Sequence, residues 1–309
     1  MKKNILIIGG SYFIGRVFVM ALSKKSDYSI HLMNRGRNPL RLPGVEEHVC
    51  DRKDISGIRK VIPPLEFHAV IDLCADFPRE IKTIIENLPG KIGQYIYIST
   101  CTVYKPSLDL PKFEDSPKPS APLPGPMGEY GFNKWLLELE TKNVCERHNI
   151  PYTILRPAFV YGPFNYAPRE SFFFDLILSN QTIPVPENSL ALFQFVYVKD
   201  IASILFACLG NEKVYNNTYN LSAEELIAYD KLIEVFEQVS GEQLNTERVS
   251  IETINRNNIK LPFPLEQHEL YSGSLLAGTL NFKYTPFSTG MKETFEFYKK
   301  YFYKTPTKG

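Results

Sequence analysis

The sequence lacks an excess of charge of either sign, since its 309 residues include 35 lysines and arginines against 34 aspartates and glutamates. A nucleic-acid-binding protein usually carries a basic excess or a basic stripe, and neither is present in this sequence. We therefore expect no nucleic-acid partner. The composition, 44% hydrophobic and 22% charged, is that of an ordinary globular protein.

Cysteine is scarce, and long apolar runs are absent. The five cysteines are scattered without a CxxC motif, which argues against a disulfide framework or a zinc site and fits a reducing cytosol. We expect no bound metal. No stretch approaches the roughly 18 apolar residues of a membrane helix. The apolar run after Met1 is too short for a signal peptide. We therefore expect a cytoplasmic protein without membrane contact.

The first two-thirds of the chain alternate between strand-like and helix-like segments. The run at 4–9 is continuous and apolar, as a strand covered on both faces should be. Further strands are predicted at 29–34, 47–51, 69–75, 94–99 and 152–156, and helices near 13–24, 78–88 and 128–148. Such alternation is typical of a parallel, doubly wound sheet.

Two parts of the chain depart from this alternation. Residues 105–127 are rich in proline and predict a long loop, which inside a compact domain is usually functional. After Pro157 the pattern is looser. It predicts helices at 170–179, 199–209 and 288–301, and strands at 193–198 and 217–222.

A glycine-rich turn, IIGGSYFIG at residues 7–15, follows the first predicted strand. Gly9 and Gly15 occupy the outer positions of a G-x-x-G-x-x-G turn, and Tyr12 fills the middle one, where a third glycine is usual. A strand that leads through glycines into a helix directs backbone N–H groups and the helix dipole at an anion. The turn indicates dinucleotide binding, although a tight turn without a ligand is the alternative.

The end of the second predicted strand carries no carboxylate. An acidic residue there binds the ribose hydroxyls of NAD, whereas this chain has Asn34, Arg35, Gly36 and Arg37. Arginine at this place can accept the 2′-phosphate of NADP, so NADP(H) is slightly favoured over NAD. A solvated basic turn is an equal alternative. Asp51, after the third strand, either contacts the adenine or caps a helix.

The segment EYGFNKWLLELE holds Tyr130 and Lys134, four residues apart in a predicted helix, so both side chains lie on one face. An ammonium beside a phenol favours the phenolate and lowers its pKa from about 10, which suits proton transfer near neutral pH. Thr100, in ISTCTVY, follows the fifth strand and could bond the same substrate oxygen. Ligands bind at the carboxyl ends of such strands, so these groups are expected to converge there. A surface Tyr-Lys pair is the alternative.

Six motifs in order span nearly the whole chain: GGSYFIG, DLCA, ISTCTVY, YGFNK, ILRPAFVYGP and FQFVYVKDIA. Together they resemble the extended short-chain dehydrogenase/reductase superfamily, and more narrowly the NAD-dependent epimerase/dehydratase family of nucleotide-sugar enzymes. The resemblance implies a Rossmann-type doubly wound parallel sheet with a smaller C-terminal α/β substrate domain. Residues 1–160 with 193–222 would form the dinucleotide-binding domain, and 161–192 with 223–309 the substrate-binding region. It also implies a homodimer in which the Tyr/Lys helix and its neighbour build a four-helix bundle.

The same resemblance implies roles for the matched residues. Thr100 would polarise the sugar hydroxyl or ketone, Tyr130 would be the acid/base, and Lys134 would tune Tyr130 and bind the nicotinamide ribose. The residues expected to contact NAD or NADP are Gly9, Ser11, Tyr12, Phe13, Ile14, Gly15, Asn34, Arg35, Arg37, Asp51, Arg52, Leu73, Cys74, Ala75, Tyr130, Lys134 and Pro157. Those expected to contact the substrate are Thr100, Thr102, Phe159 and Arg169.

The chain departs from the family pattern at three places. Tyr12 together with NRG after the second strand resembles the subgroup of chloroplast stem-loop-binding proteins, so Tyr12 need not abolish cofactor binding. Sugar 4,6-dehydratases carry Asp-Glu directly after the catalytic threonine, where this chain has Cys101 and Thr102, which makes water elimination by that route unexpected. UDP-galactose 4-epimerases place a diphosphate-binding arginine where this chain has Phe193 and Gln194. Arg169 could supply the missing charge.

These features predict an NAD(P)-dependent oxidoreductase or epimerase that acts on a nucleotide-activated sugar, either as a 4-epimerase or as a 4-ketosugar reductase. Two alternatives stay open. One is a non-catalytic protein on the same fold that senses dinucleotide or binds RNA. The other is a reductase of a non-sugar carbonyl, since one fold serves many reactions.

Overall fold

A computed structural model describes residues 2–303 of the chain. Within this range the strands are β1 (Lys3–Ile8), β2 (Tyr28–Asn34), β3 (Val45–Val49), β4 (Leu65–Asp72), β5 (Gly90–Ile92), β6 (Tyr95–Ile98), β7 (Tyr152–Pro157), β8 (Phe159–Tyr161), β9 (Ile183–Pro186), β10 (Phe195–Tyr197), β11 (Asn217–Leu221) and β12 (Thr246–Val249). The α-helices are α1 (Phe13–Leu22), α2 (Ile55–Val61), α3 (Glu80–Asn87), α4 (Pro126–Arg147), α5 (Glu170–Leu178), α6 (Val198–Cys208), α7 (Tyr229–Ser240), α8 (Ile251–Arg256), α9 (Ser274–Leu280) and α10 (Phe287–Tyr301).

One parallel sheet dominates the described part of the chain. Its strand order is β11-β7-β6-β4-β1-β2-β3, and the short β5 pairs with β4 beside this path. The four consecutive residues from Ile5 to Ile8 are all buried, which requires that both faces of β1 be covered. The predicted doubly wound, Rossmann-type α/β fold is confirmed. The chain runs from β1 outward to β3 and then returns to β4 on the other side of β1, so the carboxyl ends of β1 and β4 flank the topological switch point.

The chain divides into two compact units. The first comprises the residues up to Ala158 together with Lys199–Leu221 and Tyr271–Lys283. The second comprises Phe159–Val198, Ser222–Leu270 and the described residues from Tyr284 to Tyr303. The sequence had assigned 193–222 as a whole to the first domain. In the structure β10 pairs with β8 in a separate two-stranded sheet, which keeps Phe193–Val198 in the second unit, whereas β11 joins the large sheet.

The second unit is held together by aromatic side chains. Phe173, Phe193 and Phe236 are fully buried, and the Phe193 ring stacks on Phe263 with centroids 5.1 Å apart. Two short parallel pairs, β8 with β10 and β9 with β12, supply its strands. Across residues 2–303, no helix combines the length and the apolar character that a membrane span requires.

Candidate functional site

The glycine turn joins β1 to α1 at the carboxyl edge of the large sheet. Gly9 has φ +86°, and a Cβ at this position would lie 2.7 Å from both Cβ and Sγ of Cys74. A Cβ at Gly15 would lie 2.6 Å from the Cα of Gly10 and 2.8 Å from Cδ1 of Leu73. Since real Cβ atoms do not approach so closely, only glycine lets the start of α1 pack this tightly on the ends of β1 and β4.

Ser11 contributes a buried hydroxyl to this turn. The residue is 6% exposed, and its Oγ has no hydrogen-bond partner among residues 2–303. A buried polar atom without a partner costs free energy unless a ligand satisfies it. The turn therefore fits the pyrophosphate of a dinucleotide, because it combines an unused donor, a cradle without room for Cβ atoms and the positive end of α1.

Replacing Ser11 by alanine is expected to have two opposite effects. The melting temperature of the ligand-free protein should stay the same or rise, because the substitution removes an unsatisfied buried group. The affinity for NADH or NADPH should fall about tenfold to a hundredfold, since a hydrogen bond to a charged group is worth roughly 1.5–3 kcal/mol. Thermal melts with and without nucleotide measure both effects.

Ser23→Ala is the control for this prediction. Ser23 caps the far end of α1, where its Oγ donates to Met20 O at 3.1 Å. This variant should lose a little stability and keep its nucleotide affinity. A Ser11→Ala protein that binds nucleotide like the wild type would contradict the assignment of Ser11 to the pyrophosphate.

Tyr12 fits the middle position of the turn without strain. Its backbone is extended, with φ −122° and ψ 153°, a conformation that any residue adopts. The side chain is 53% exposed, and its hydroxyl contacts Nδ2 of Asn38 in the loop after β2. The ring thus extends toward that loop, which explains why the turn tolerates a bulky residue in place of glycine.

The NRGR segment forms a tight turn at the end of β2. Asn34 Oδ1 accepts a hydrogen bond from Gly36 N at 2.7 Å, and Gly36 has φ +74°. Asn34 Nδ2 donates to Glu47 of β3 at 3.3 Å. Asn34 therefore builds the turn, and it leaves Arg35 and Arg37 exposed on either side of Gly36. Both guanidinium groups are accessible to a phosphate.

Arg52 is buried at this edge of the sheet. Its guanidinium donates from Nη1 and Nη2 to Asp72 at 2.9 and 2.7 Å. The contact of Arg52 with the adenine, which the resemblance implies, stays a prediction. Burial alone would raise the pKa of Asp72, but Arg52 holds it below its usual value. Asp72 also accepts the N–H groups of Cys74 and Ala75 at 3.1 Å each. Arg52 thus fixes the carboxylate that shapes the turn after β4.

Asp51 remains exposed at the same edge. Its Oδ1 accepts a hydrogen bond from Lys53 N at 2.9 Å. The cap of α2 is Asp54, whose side chain accepts from Gly57 N. Of the two roles that the sequence left open for Asp51, capping α2 is therefore excluded.

Lys134 reaches the same edge from α4. It is 3% exposed, and its Nζ donates to Ala75 O and Ile98 O, both at 2.9 Å. Asp76 lies 3.9 Å from Nζ, and the centroid of the Tyr97 ring lies 4.6 Å away. Burial lowers the pKa of Lys134, although the carboxylates of Asp76 and Asp72 act to raise it. The helix thus places one ammonium group where β4 and β6 end.

Tyr130 lies one helical turn before Lys134 and is half-buried. The residue after it, Gly131, is pressed against the neighbouring segment, since a Cβ there would lie 2.4 Å from Thr102 O. Thr100 caps the short 3-10 helix Cys101–Val103, and its Oγ1 accepts from Thr102 N at 3.1 Å. The structure therefore brings the segment with Thr100 and Thr102 against the start of α4.

Sequence reasoning missed a buried ion pair next to these residues. Arg156 of β7 is 1% exposed and donates from Nε and Nη2 to the two carboxylate oxygens of Glu138, at 2.8 and 2.6 Å. Glu138 lies one turn beyond Lys134 and also accepts from Ser99 Oγ at 2.6 Å. Burial alone would lower the pKa of Arg156, but Glu138 raises it. An arginine inside the apolar strand ILRP was the signal that could have revealed this pair.

The same arginine anchors the proline-rich loop. Arg156 Nη1 donates to the Tyr104 hydroxyl at 2.8 Å and to Glu114 O at 2.9 Å. The Tyr104 hydroxyl donates to Asn220 Oδ1 at 2.5 Å, and Asn220 N donates to Glu114 Oε1 at 2.9 Å. The loop predicted at 105–127 is therefore tied at its middle to β7 and β11.

Cys101 occupies the position that is acidic in sugar 4,6-dehydratases. It is 2% exposed, and its thiol donates to Arg156 O at 3.1 Å. A thiol buried in this way packs as a small apolar group.

Of the remaining candidate residues, Phe159 and Arg169 lie in the second unit, whereas Phe13 and Ile14, at the start of α1, and Pro157, at the end of β7, lie in the first. The Arg169 guanidinium lies 5.5 Å above the Phe159 ring, and its Nη1 donates to Val160 O at 3.3 Å. Gln194 is buried and donates from Nε2 to Ala223 O at 2.8 Å. Phe159 and Arg169 thus form one local group.

Over residues 5–222 the chain matches the NAD dependent epimerase/dehydratase family. It is 32% identical over 255 residues to the chloroplast stem-loop binding protein of 41 kDa b from Arabidopsis thaliana. That match covers 78% of this chain and 64% of the relative, so the chain spans less than two thirds of the relative's length. It is also 24% identical over 333 residues to the dTDP-D-glucose 4,6-dehydratase of Mus musculus, with 97% of this chain and 90% of that protein covered.

A solved structure has the same fold. The UDP-glucuronic acid 4-epimerase of Bacillus cereus, in complex with UDP-glucuronic acid and NAD, matches with a TM-score of 0.73 and 20% identity. The match covers 96% of this chain and 99% of that one. At this identity the likeness shows the fold alone.

Proposed function

Because the chain belongs to the NAD-dependent epimerase/dehydratase family, we propose that it is an NAD(P)-dependent oxidoreductase or epimerase acting on a nucleotide-activated sugar. The observation that carries the proposal is the position of Lys134. Its ammonium is held by Ala75 O and Ile98 O at the carboxyl ends of two central strands, one turn after a half-buried tyrosine. Ligands of doubly wound sheets bind at this edge.

The proposed reaction needs a proton carrier beside a hydride carrier. Gly9, Ser11 and Gly15 would hold a nicotinamide dinucleotide, which would accept hydride from the sugar carbon and donate it back. Tyr130 takes the proton of the sugar hydroxyl as that carbon is oxidised and returns it on reduction. A lysine ammonium has three donors, of which Lys134 uses two on backbone carbonyls, which leaves one for the phenolate or the ribose. Thr100 orients the same sugar oxygen.

Two reaction types fit this set of residues. In 4-epimerisation the sugar carbon is first oxidised by hydride transfer to the nicotinamide and then reduced by hydride return. In reduction of a 4-ketosugar only the second of these steps occurs. Water elimination fits less well, because Cys101 is buried and hydrogen-bonded to Arg156 O. The sugar nucleotides named with the chain's relatives and structural neighbours define the first substrates to test: UDP-glucose, UDP-glucuronic acid and dTDP-glucose.

The cofactor experiment comes first. The purified protein is denatured, any released dinucleotide is identified, and the apoprotein is titrated with NAD, NADH, NADP and NADPH. Trp135, the single tryptophan, lies in α4 and serves as a donor for energy transfer to a bound reduced nicotinamide. Retained NAD supports an epimerase that recycles its cofactor. A preference for NADPH supports a ketosugar reductase, and binding of none of the four would overturn the enzyme proposal.

If NADPH is preferred, replacing both Arg35 and Arg37 by serine is expected to weaken NADPH binding by about 10²–10⁴-fold, because each of the two charge-assisted bonds to the 2′-phosphate is worth roughly 1.5–3 kcal/mol. NADH affinity should hardly change, since NADH lacks that phosphate. Arg147→Ser removes an exposed arginine from the last turn of α4 and is the matched control. Equal losses for both nucleotides would exclude a role in reading the phosphate.

A second candidate function is RNA binding without catalysis, which the 32% identity to a stem-loop binding protein favours. The net charge of +1 argues against it, since phosphate contacts need a basic surface. Retention of an RNA stem-loop that weakens steeply between low and moderate salt would support this candidate. Indifference to RNA at low salt would exclude it.

A further inference from the structure

Two histidines and a glutamate meet on one face of the sheet, at its β2–β3 edge. In the parallel register His31 of β2 lies opposite Glu46 of β3, and Met33 lies opposite His48. Since side chains of a strand alternate between faces, Glu46 and His48 share one face, and the register puts His31 beside them. This cluster, His31, Glu46 and His48, is separate from every residue assigned above to the cofactor or the substrate.

The ligating atoms of the cluster are close together. His31 Nδ1 lies 3.1 Å from His48 Nε2 and 3.4 Å from a carboxylate oxygen of Glu46, and His48 Nε2 lies 3.7 Å from the other oxygen. A tetrahedral Zn²⁺ with bonds of about 2.0–2.1 Å holds its ligand atoms about 3.3–3.4 Å apart. An octahedral ion with bonds of that length would bring them to about 2.9 Å. The three observed separations, 3.1, 3.4 and 3.7 Å, lie around the tetrahedral value, although the two Glu46 distances end on different oxygens of its carboxylate.

We propose that His31, Glu46 and His48 form a binding site for a divalent zinc-like cation, with water in the fourth position. Two imidazoles and one carboxylate are ligands that Zn²⁺ accepts. Both histidines are buried, at 3% and 7% exposure, whereas the Glu46 side chain is 63% exposed. The ion would thus enter from solvent through the carboxylate side and rest against an apolar wall. Sequence analysis predicted no metal from the scattered cysteines, and only the register of the two strands brings His31 of β2 to Glu46 and His48 of β3.

The surroundings of the histidines fit this role. The Phe67 ring packs edge-on against His31 with centroids 5.7 Å apart. Burial lowers the pKa of His31, against the raising effect of the Glu46 carboxylate. In the metal-free protein one of the two facing nitrogens carries a hydrogen and donates it to the other. An ion bound by both facing nitrogens would need both lone pairs, so that hydrogen would have to move to the other nitrogen of its own ring.

The surroundings of His31 Nε2 indicate how tightly the proposed site should bind Zn²⁺. This atom is buried and has no hydrogen-bond partner among residues 2–303. In strong metal sites the second ring nitrogen of a ligating histidine donates to a partner, and its absence typically lowers metal affinity about 10–100-fold. The site is therefore expected to be weaker than a structural zinc site with a complete outer shell.

The test uses untagged, chelator-stripped full-length protein and ZnCl₂ as the probe. We expect one Zn²⁺ per chain by calorimetry and a rise in melting temperature that saturates at the same ratio. Co²⁺ at the site should give the intense visible absorption of tetrahedral coordination. Glu46→Gln removes an exposed ligand without disturbing the core, so the metal-free melting temperature should stay unchanged while Zn²⁺ affinity falls about tenfold or more.

His148→Gln is the matched control, because His148 lies on the surface 3.9 Å from Glu86 and belongs to a different His-Glu pair. It should bind Zn²⁺ like the wild type. His48→Gln should lose binding as well. Absence of stoichiometric Zn²⁺ binding to the wild type would overturn the proposal. So would equal Zn²⁺ affinities of the Glu46→Gln and His148→Gln proteins, because binding would then lie elsewhere.

Discussion

Replacing Tyr130 by phenylalanine is expected to lower turnover by about 10²–10⁴-fold, the usual contribution of a positioned general acid/base. The change removes one hydroxyl from a half-buried ring and leaves α4, Gly131 and Lys134 in place. Melting temperature and dinucleotide affinity should therefore match the wild type. Turnover is measured by chromatographic separation of the sugar nucleotides, and cofactor binding by energy transfer from Trp135.

Tyr28→Phe is the control for this variant. Tyr28 begins β2 at the amino edge of the sheet, opposite the edge where Lys134 lies, and its ring contacts Phe206. This protein should keep full activity. A Tyr130→Phe protein with normal turnover would exclude Tyr130 as the proton carrier. Lost turnover together with lost cofactor affinity would instead indicate that the ring positions the dinucleotide.

Replacing Arg156 by methionine is expected to lower the free energy of unfolding of the first unit by about 3–5 kcal/mol. The substitution removes the two hydrogen bonds that Arg156 donates to the Glu138 carboxylate, so that only Ser99 Oγ still donates to it. The negative charge of Glu138 is then buried without a counterion. It also releases Glu114 O, the anchor of the proline-rich loop. Trp135 fluorescence during urea unfolding reports on this unit, because the sequence has no other tryptophan.

Two further variants test whether the loss of stability comes from the unpaired charge of Glu138. The double variant Glu138→Leu with Arg156→Met should recover at least half of the loss, because no charge is then left unpaired. Lys231→Met breaks an exposed pair with Glu234, whose side chains are 44% and 53% exposed, and should change stability by no more than about 0.5 kcal/mol. A single Arg156→Met variant with wild-type stability would refute the importance of the buried pair.

The fold and the centre of the candidate site follow from patterns that are local in the chain. The spacing of Gly9 and Gly15, the apolar run between 4 and 9, and the four-residue step from Tyr130 to Lys134 each depend on a few neighbouring residues. These patterns are sufficient to predict the parallel sheet and the helix that brings Lys134 to its edge. The confirmed family membership and fold show that such local signals hold even with Tyr12 in the turn.

The features that were not predicted depend on partners far apart in sequence. Arg52 meets Asp72 and Arg156 meets Glu138 across 20 and 18 positions, and no spacing rule links them. The His31 cluster forms only in the observed register of two strands. Short strands were missed for a different reason. β5 has three residues and β9 contains two prolines, so neither shows the alternation that indicates a strand.

The sheet of the first unit can be completed only late during synthesis. It is assembled from three separate stretches of chain, and β7, which ends at Pro157, has as its outer neighbour β11, which begins only at Asn217. Until the ribosome has released that stretch, β7 is an unpaired edge strand, a template for wrong pairing with another chain. A fragment that stops at Ala158 would keep this edge permanently, so we expect it to aggregate although it carries every motif of the candidate cofactor site. Truncation is therefore a poor route to an isolated cofactor domain of this protein.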